Sequence, residues 1–151
     1  MKRIEEEIKQ SSFKNEFSKG IVNLIFTNGW LHQKQLEVFK PYGLTTPQFN
    51  ILRILRGQHP EPSTVNLLID RMLDKSSNAS RIVDRLETKG LVERKQCMKD
   101  RRAVDVVISQ KGLDLLGKLD RELENWERSI RHLDEEESRT LNQLLDKMRG
   151  A

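Results

Sequence analysis

Apolar residues recur every three or four positions in six stretches of this chain, and two shorter runs have strand-like patterns. From Phe13 to Phe39, apolar side chains at 13, 17, 21, 24, 25, 31 and 39 trace one face of a long amphipathic helix. "PYGLTTPQ" breaks that pattern: Pro41 and Gly43 predict a turn, and Thr46 is expected to cap a second helix with Pro47 in its first position. Phe49, Leu52 and Leu55 form the predicted buried face of that helix. "GQHPEPS" predicts a loop, after which Ser63 is expected to cap a short helix carrying Val65, Leu68, Ile69 and Met72 inward.

A link of three or four residues, "LDK", follows. The next segment, "SSNASRIVDRLETKG", sets Ala79, Ile82, Val83 and Leu86 on one face and stops at Gly90, a residue suited to a left-handed helix cap. Two short helices with a tight link predict a helix-turn-helix. Leu91 to Lys95 and Val104 to Ser109 read as strands close enough to pair as a hairpin. Ser109 is then expected to cap a long helix on which Leu116, Leu119, Leu123, Trp126 and Ile130 make a seam with heptad spacing. Asp134 and Glu137 predict a capping box that opens a last helix, with Leu141, Leu144, Leu145 and Met148 on one face.

The 151 residues suit one domain with a real hydrophobic core, and the 33% charged fraction with only 5% aromatics favours a mostly helical, highly solvated protein. A single cysteine, Cys97, excludes a disulfide framework within the chain and agrees with a reducing compartment. "MKRIEEEIKQ" mixes charges every few residues, and the longest apolar run, "IVNLIF", is too short to span a bilayer, so a cytoplasmic soluble protein is expected. Charge distribution adds more than the net +4 does. Basic residues outnumber acidic ones nine to six over 1–62 and eleven to seven over 63–111, while acids lead ten to seven over 112–151. A basic middle framed by an acidic tail suits a polyanion partner gripped at one place.

That middle also carries matching chemistry. Turned by about 100° per residue, the segment 76–89 presents Ser77, Arg81, Asp84 and Thr88 opposite its apolar face, flanked by Asn78 and Arg85. Small polar residues let a helix start approach a major groove closely, Asn and Arg make bidentate contacts to adenine and guanine edges, and free N–H groups there attract phosphate. In "RKQCMKDRRAVDVVIS", Lys99, Asp100, Arg101 and Arg102 crowd the predicted hairpin tip. Clustered cations repel one another, but the negative potential of a narrow minor groove favours inserted arginine, and Asp100 can hold the Arg102 guanidinium in one orientation. An ordinary solvated face explains the helix equally well and the hairpin cluster poorly.

The order long helix, capped helix, helix-turn-helix, strand, "DRR" wing, strand and leucine-rich helices resembles the MarR family of bacterial transcriptional regulators over nearly the whole chain. "LTTPQFNIL" at 44–52, "DKSSNASRIVDRLETKGLVER" at 74–94 and "DRRAVDVVISQKG" at 100–112 carry the resemblance. It implies a mainly α fold with a small β-hairpin wing, a winged helix-turn-helix flanked by N- and C-terminal dimerisation helices. On this basis 1–151 is one domain, with a DNA-binding lobe at about 44–111 and dimerisation helices at about 10–40 and 112–149. The implied function is sequence-specific transcriptional regulation: a homodimer on palindromic operator DNA, usually a repressor released by a small molecule or an oxidant. The half-sites would lie about one turn, ~10 bp, apart.

Under that resemblance 76–89 is the recognition helix: Ser77, Asn78 and Arg81 read major-groove edges, Ser76 joins them among the DNA-binding residues, Lys75 and Arg85 hold phosphates, and Asp100 with Arg102 forms the wing pair at the minor groove. Arg101 stands beside them or turns toward the domain. An effector pocket between the dimer helices and the lobe would draw on Trp30, His32, Tyr42, Phe49 and Trp126, each of which also suits core packing. The competing reading is a winged helix that dimerises and docks another protein without reading DNA.

Family members that sense peroxides through a thiol in the first helix carry a cysteine there, and this chain has none. Cys97 falls in the predicted wing, either as an incidental small residue or as an oxidisable thiol whose thiolate Arg94, Lys95 and Lys99 would favour. His32, His59 and His132 are widely separated, and neither they nor Cys97 have metal-ligand spacing. No Gly-rich phosphate loop, nucleophile elbow or paired catalytic carboxylates appear, and "DEEE" at 134–137 suits a helix start. No enzymatic activity, metal or cofactor is expected.

Overall fold

The structure, a computed structural model, describes residues 2–96 and 104–151. The chain forms two compact units, one running up to Leu113 and the other from Asp114 to Ala151. Cys97, Lys99, Asp100, Arg101 and Arg102 lie outside the described residues.

The first unit opens on a short helix with no counterpart among the predicted elements, α1 (Ile4–Glu7), which buries Ile4 and is tied by a 2.6 Å ion pair from Glu5 to Lys19. The long helix α2 (Glu16–Phe39) starts after Phe13, because the Asn15 side chain accepts from the Ser18 N–H at 2.8 Å and caps the helix there. A 3-10 turn, Lys40–Tyr42, leads into α3 (Thr46–Gln58). Its cap is Thr45 rather than Thr46. Gln48 stands three residues after Thr45, and each side chain takes the other's backbone N–H, at 3.2 and 3.4 Å. Thr46 has Phe49 at that spacing and cannot close such a box. Leu52 and Leu55 are buried with Ile51 and Ile54, whereas Phe49 is half-buried and stacks on Phe39 with centroids 4.5 Å apart.

Ser63 is not a helix cap. It opens a two-residue strand, β1 (Ser63–Thr64), and pairs antiparallel with Val106, while Thr64 caps α4 (Val65–Arg71) by accepting from the Leu67 N–H at 3.2 Å. A sheet edge supplied from far along the chain thus claims Ser63 and leaves it 1% exposed. Ile69, expected inside, is 40% exposed, since α4 turns only Leu68 fully inward before Met72 ends it.

The helix α5 (Ala79–Thr88) buries Ala79, Val83 and Leu86 and is followed by Gly90 at φ +69°, the left-handed position its sequence predicted. The hairpin strands β2 (Val92–Gln96) and β3 (Val104–Ile108) pair antiparallel, Val92 opposite Ile108 and Arg94 opposite Val106, in a sheet of order β1-β3-β2. Because α3 packs on both α5 and β3, the fully buried Leu52, Leu55, Val83, Leu86 and Val106 hold the helix-turn-helix onto the wing. Each such side chain contributes roughly 1.5–3 kcal/mol. Ser109 caps α6 (Gln110–Ile130) as expected, its Oγ accepting from the Gly112 N–H at 3.1 Å.

In the second unit Leu116 and Leu119 of α6 are buried and Leu123, Trp126 and Ile130 half-buried. The helix α7 (Glu135–Met148) opens on the predicted box, with Asp134 and Glu137 exchanging bonds of 2.9 Å. Leu141, Leu144 and Met148 of α7 are exposed.

Candidate nucleic-acid interface

The second helix of the helix-turn-helix begins at Ala79, later than the predicted start at Ser76. Ser76 and Ser77 belong to the link, which runs over 72–78 and is longer than the expected three or four residues. Asp74 organises it. Its carboxylate accepts from the Ser76 N–H at 2.9 Å, from the Ser76 hydroxyl at 2.6 Å and from the Ser77 hydroxyl at 2.6 Å. These bonds give the backbone an alternative to helix. They also favour the charged carboxyl, the Ser76 hydroxyl foremost, and hold Asp74 below the usual carboxylate range.

Hydrogen-bond polarity follows from that arrangement. A carboxylate only accepts, so Ser76 and Ser77 both direct their protons to Asp74 and have only lone pairs left to offer. Asn78 is the cap of α5, its Oδ1 accepting from the Arg81 N–H at 3.1 Å, so the acceptor half of a bidentate adenine contact is already engaged and its NH2 group remains to donate. The Lys75 ammonium donates to the carbonyls of Ile69, at 3.1 Å, and Asp70, closing the end of α4 and leaving one N–H of three.

On α5 itself Arg81, Asp84, Arg85 and Thr88 are all exposed. Arg81 and Arg85 line a cleft of about 340 Å³ with Ser77 and Asn78, and the start of α3 closes it through Thr45, Pro47 and Gln48. The amino ends of two helices and two guanidiniums therefore converge, a setting that favours anions. Among the described residues no ion pair engages Arg81 or Arg85.

Arg94 is the residue of this region that sequence reasoning missed, having placed it only beside Cys97. In β2 it follows buried Val92 by two positions and so shares its face. Its guanidinium pairs with Asp84 and lies 3.6 Å from Glu87, both on α5. The period-two position was the available signal, but nothing local announced the two carboxylates facing it.

Residues 42–103 match the model of the MarR family. A MarR transcription factor from Planctomyces limnophilus is 30% identical, the match covers 93% of this chain and 100% of that one, and the TM-score is 0.69. The chain belongs to the MarR family. A MarR variant from E. coli, solved with operator DNA, shares the fold at a TM-score of 0.77 and 24% identity, over 91% of this chain and 99% of that one. BpsR of Bordetella bronchiseptica, whose DNA binding is regulated by 6-hydroxynicotinic acid, shares it at 0.72 and 23% identity, over 85% and 92%.

As a MarR-family member the protein is a DNA-binding transcriptional regulator and not an enzyme. Among the described residues no three His, Cys, Asp or Glu side chains gather as a metal site, and no helix is long and apolar enough to cross a membrane. Of the residues the MarR resemblance proposed for an effector, Trp30 and His32 are exposed on α2, Tyr42 is half-buried in the 3-10 turn, and Phe49 stacks on Phe39. Trp126 lies in the second unit with its indole Nε1 buried and unpartnered among the described residues. None of the five lines the cleft at α5, nor a cleft of about 480 Å³ where α6 gives way to α7.

Proposed function

We propose that this regulator is a homodimeric repressor that binds palindromic operator DNA and is released by a small-molecule effector. The observation that carries the reading is the cleft at α5, where two helix amino ends meet the unengaged guanidiniums of Arg81 and Arg85. Arg81, Ser76, Ser77 and Asn78 face base edges, and Lys75 and Arg85 hold phosphates. Arg102, oriented by Asp100, enters the adjacent minor groove with Arg101 beside it. The bond polarity refines this: the serines accept from base amino groups, and Asn78 donates to ring nitrogens or carbonyls.

The lobe at about 44–111 reads the DNA, and the segments at about 10–40 and 112–149 build the dimer. Phe17, Leu24, Ile25 and Trp30 on α2, with Leu141, Leu144 and Met148 on α7, are exposed apolar side chains and support this role. Release by a small molecule draws support from BpsR, whose fold this chain shares. The ligand would favour a dimer whose two recognition helices are spaced wrongly for the operator.

Selection of bound duplexes from a random DNA pool, with sedimentation of the free protein, tests the proposal. A dimer and an enriched palindrome with half-sites ~10 bp apart are expected. Weak, salt-sensitive binding with no enriched sequence would overturn it.

A further inference from the structure

Counted alone, α5 has no net charge, since Arg81 and Arg85 are balanced by Asp84 and Glu87. That is a poor composition for a helix that must sit among phosphates. Asp84 also stands three residues after Arg81, the spacing at which a helical acid and base pair with each other and withdraw the guanidinium from other partners. In the structure that pair is not formed. Asp84 is taken by Arg94 Nη2, and Arg94 Nη1 lies 3.6 Å from Glu87 Oε2. Arg94 reaches both carboxylates because its backbone is anchored in mid-hairpin, opposite fully buried Val106, on the strand face that Val92 packs inward.

Resting on the recognition-helix reading above, we infer that Arg94 is a positioning residue for DNA binding. It occupies the Asp84 carboxylate and lies beside that of Glu87, leaves Arg81 and Arg85 free to meet the DNA, and ties the wing strand to the recognition helix. Arg94 itself touches no DNA. The Asp84 and Arg94 side chains are 56% and 33% exposed, so the pair adds little to folding stability. Its effect is felt when a polyanion approaches, because an uncovered carboxylate on that face repels phosphate.

The test measures binding of Arg94→Ala, Asp84→Asn and the double variant to the selected operator across a salt series, with Arg81→Ala and Arg85→Ala alongside and thermal melting as a check on folding. Arg94→Ala is expected to weaken binding about tenfold, the size of losing one contact. The double variant should regain most of that loss with the wild-type salt slope, and Asp84→Asn alone should bind no more weakly than wild type. If the double variant binds as poorly as Arg94→Ala and its salt slope falls by about 0.9, Arg94 is itself a phosphate contact and the inference is overturned. A large drop in melting temperature without rescue by Asp84→Asn makes Arg94 merely structural and overturns it too. If Arg81→Ala and Arg85→Ala leave operator binding unchanged, the recognition-helix reading has failed, and this inference with it.

Discussion

The Ser77 hydroxyl donates to the Asp74 carboxylate at 2.6 Å, immediately ahead of the Asn78 cap that starts α5. Asp74 ionises more readily in the folded protein than in the unfolded chain. Its contribution to stability is therefore fully present above the unfolded pKa, about 3.9, and is lost as pH falls through the lower folded value. Asp74→Ala should melt below wild type at neutral pH, with the difference shrinking once the pH drops under about 4. A difference that stayed constant down this range would show that Asp74 acts by some means other than its charge.

The same bonds make a prediction about base preference. With Asp74 present the serines can only accept, and Asp74→Ala frees both hydroxyls to donate. Repeating the duplex selection with Asp74→Ala should shift the preferred bases at the half-site positions facing the link. An unchanged consensus would argue that Ser76 and Ser77 touch no base.

Arg81 and Arg85 should differ in kind. Arg81→Ala is expected to cost ~1–3 kcal/mol of operator affinity and relax the preference at one position, whereas Arg85→Ala should weaken all sequences alike and lower the salt slope by about 0.9. Anisotropy titrations on operator and scrambled duplexes at several salt concentrations distinguish the two roles.

Glycines at two places on α6 should respond oppositely to alanine. A Cβ on Gly112 would lie 2.4 Å from the Leu91 carbonyl oxygen and 2.7 Å from Ile108 Cγ1, while one on Gly117 meets nothing within 4 Å. Gly112→Ala should destabilise by about 1–3 kcal/mol through overpacking. Gly117→Ala should stabilise by roughly 0.5–1 kcal/mol, the usual gain in a helix interior. Denaturant melts of both variants provide the check.

Leu144 is 59% exposed, so Leu144→Asp should leave the subunit folded. If α7 builds the dimer, sedimentation will show monomer for this variant at concentrations where wild type is dimeric, and operator affinity will fall. A dimer of wild-type strength would remove α7 from the interface.

Much of the fold was legible along the chain because its signals are local. The Asp134 and Glu137 box, Ser109 as a cap and Gly90 as a helix stop need only neighbours three or four residues away, and all three stand in the structure. Where several capping residues adjoin, the choice passed to distant or unforeseen partners. Gln48 selects Thr45 over Thr46, the β3 edge draws Ser63 into a strand and leaves Thr64 as cap, and Asp74 keeps Ser76 and Ser77 out of α5. At the candidate interface, Arg81 and Arg85 were visible from helical periodicity, but the state of each polar group was not.

The sequence by itself determined the order of α2 to α7, the helix-turn-helix with its hairpin and the basic middle, because periodicity, cap chemistry and charge are written residue by residue. Only the tertiary structure decided that Asp84 and Glu87 of α5 answer to Arg94 of β2 and that the cleft at α5 borrows the start of α3. Those relationships depend on how closely separate elements approach through space, which burial of Val83, Leu86, Val92 and Val106 sets and no local pattern specifies.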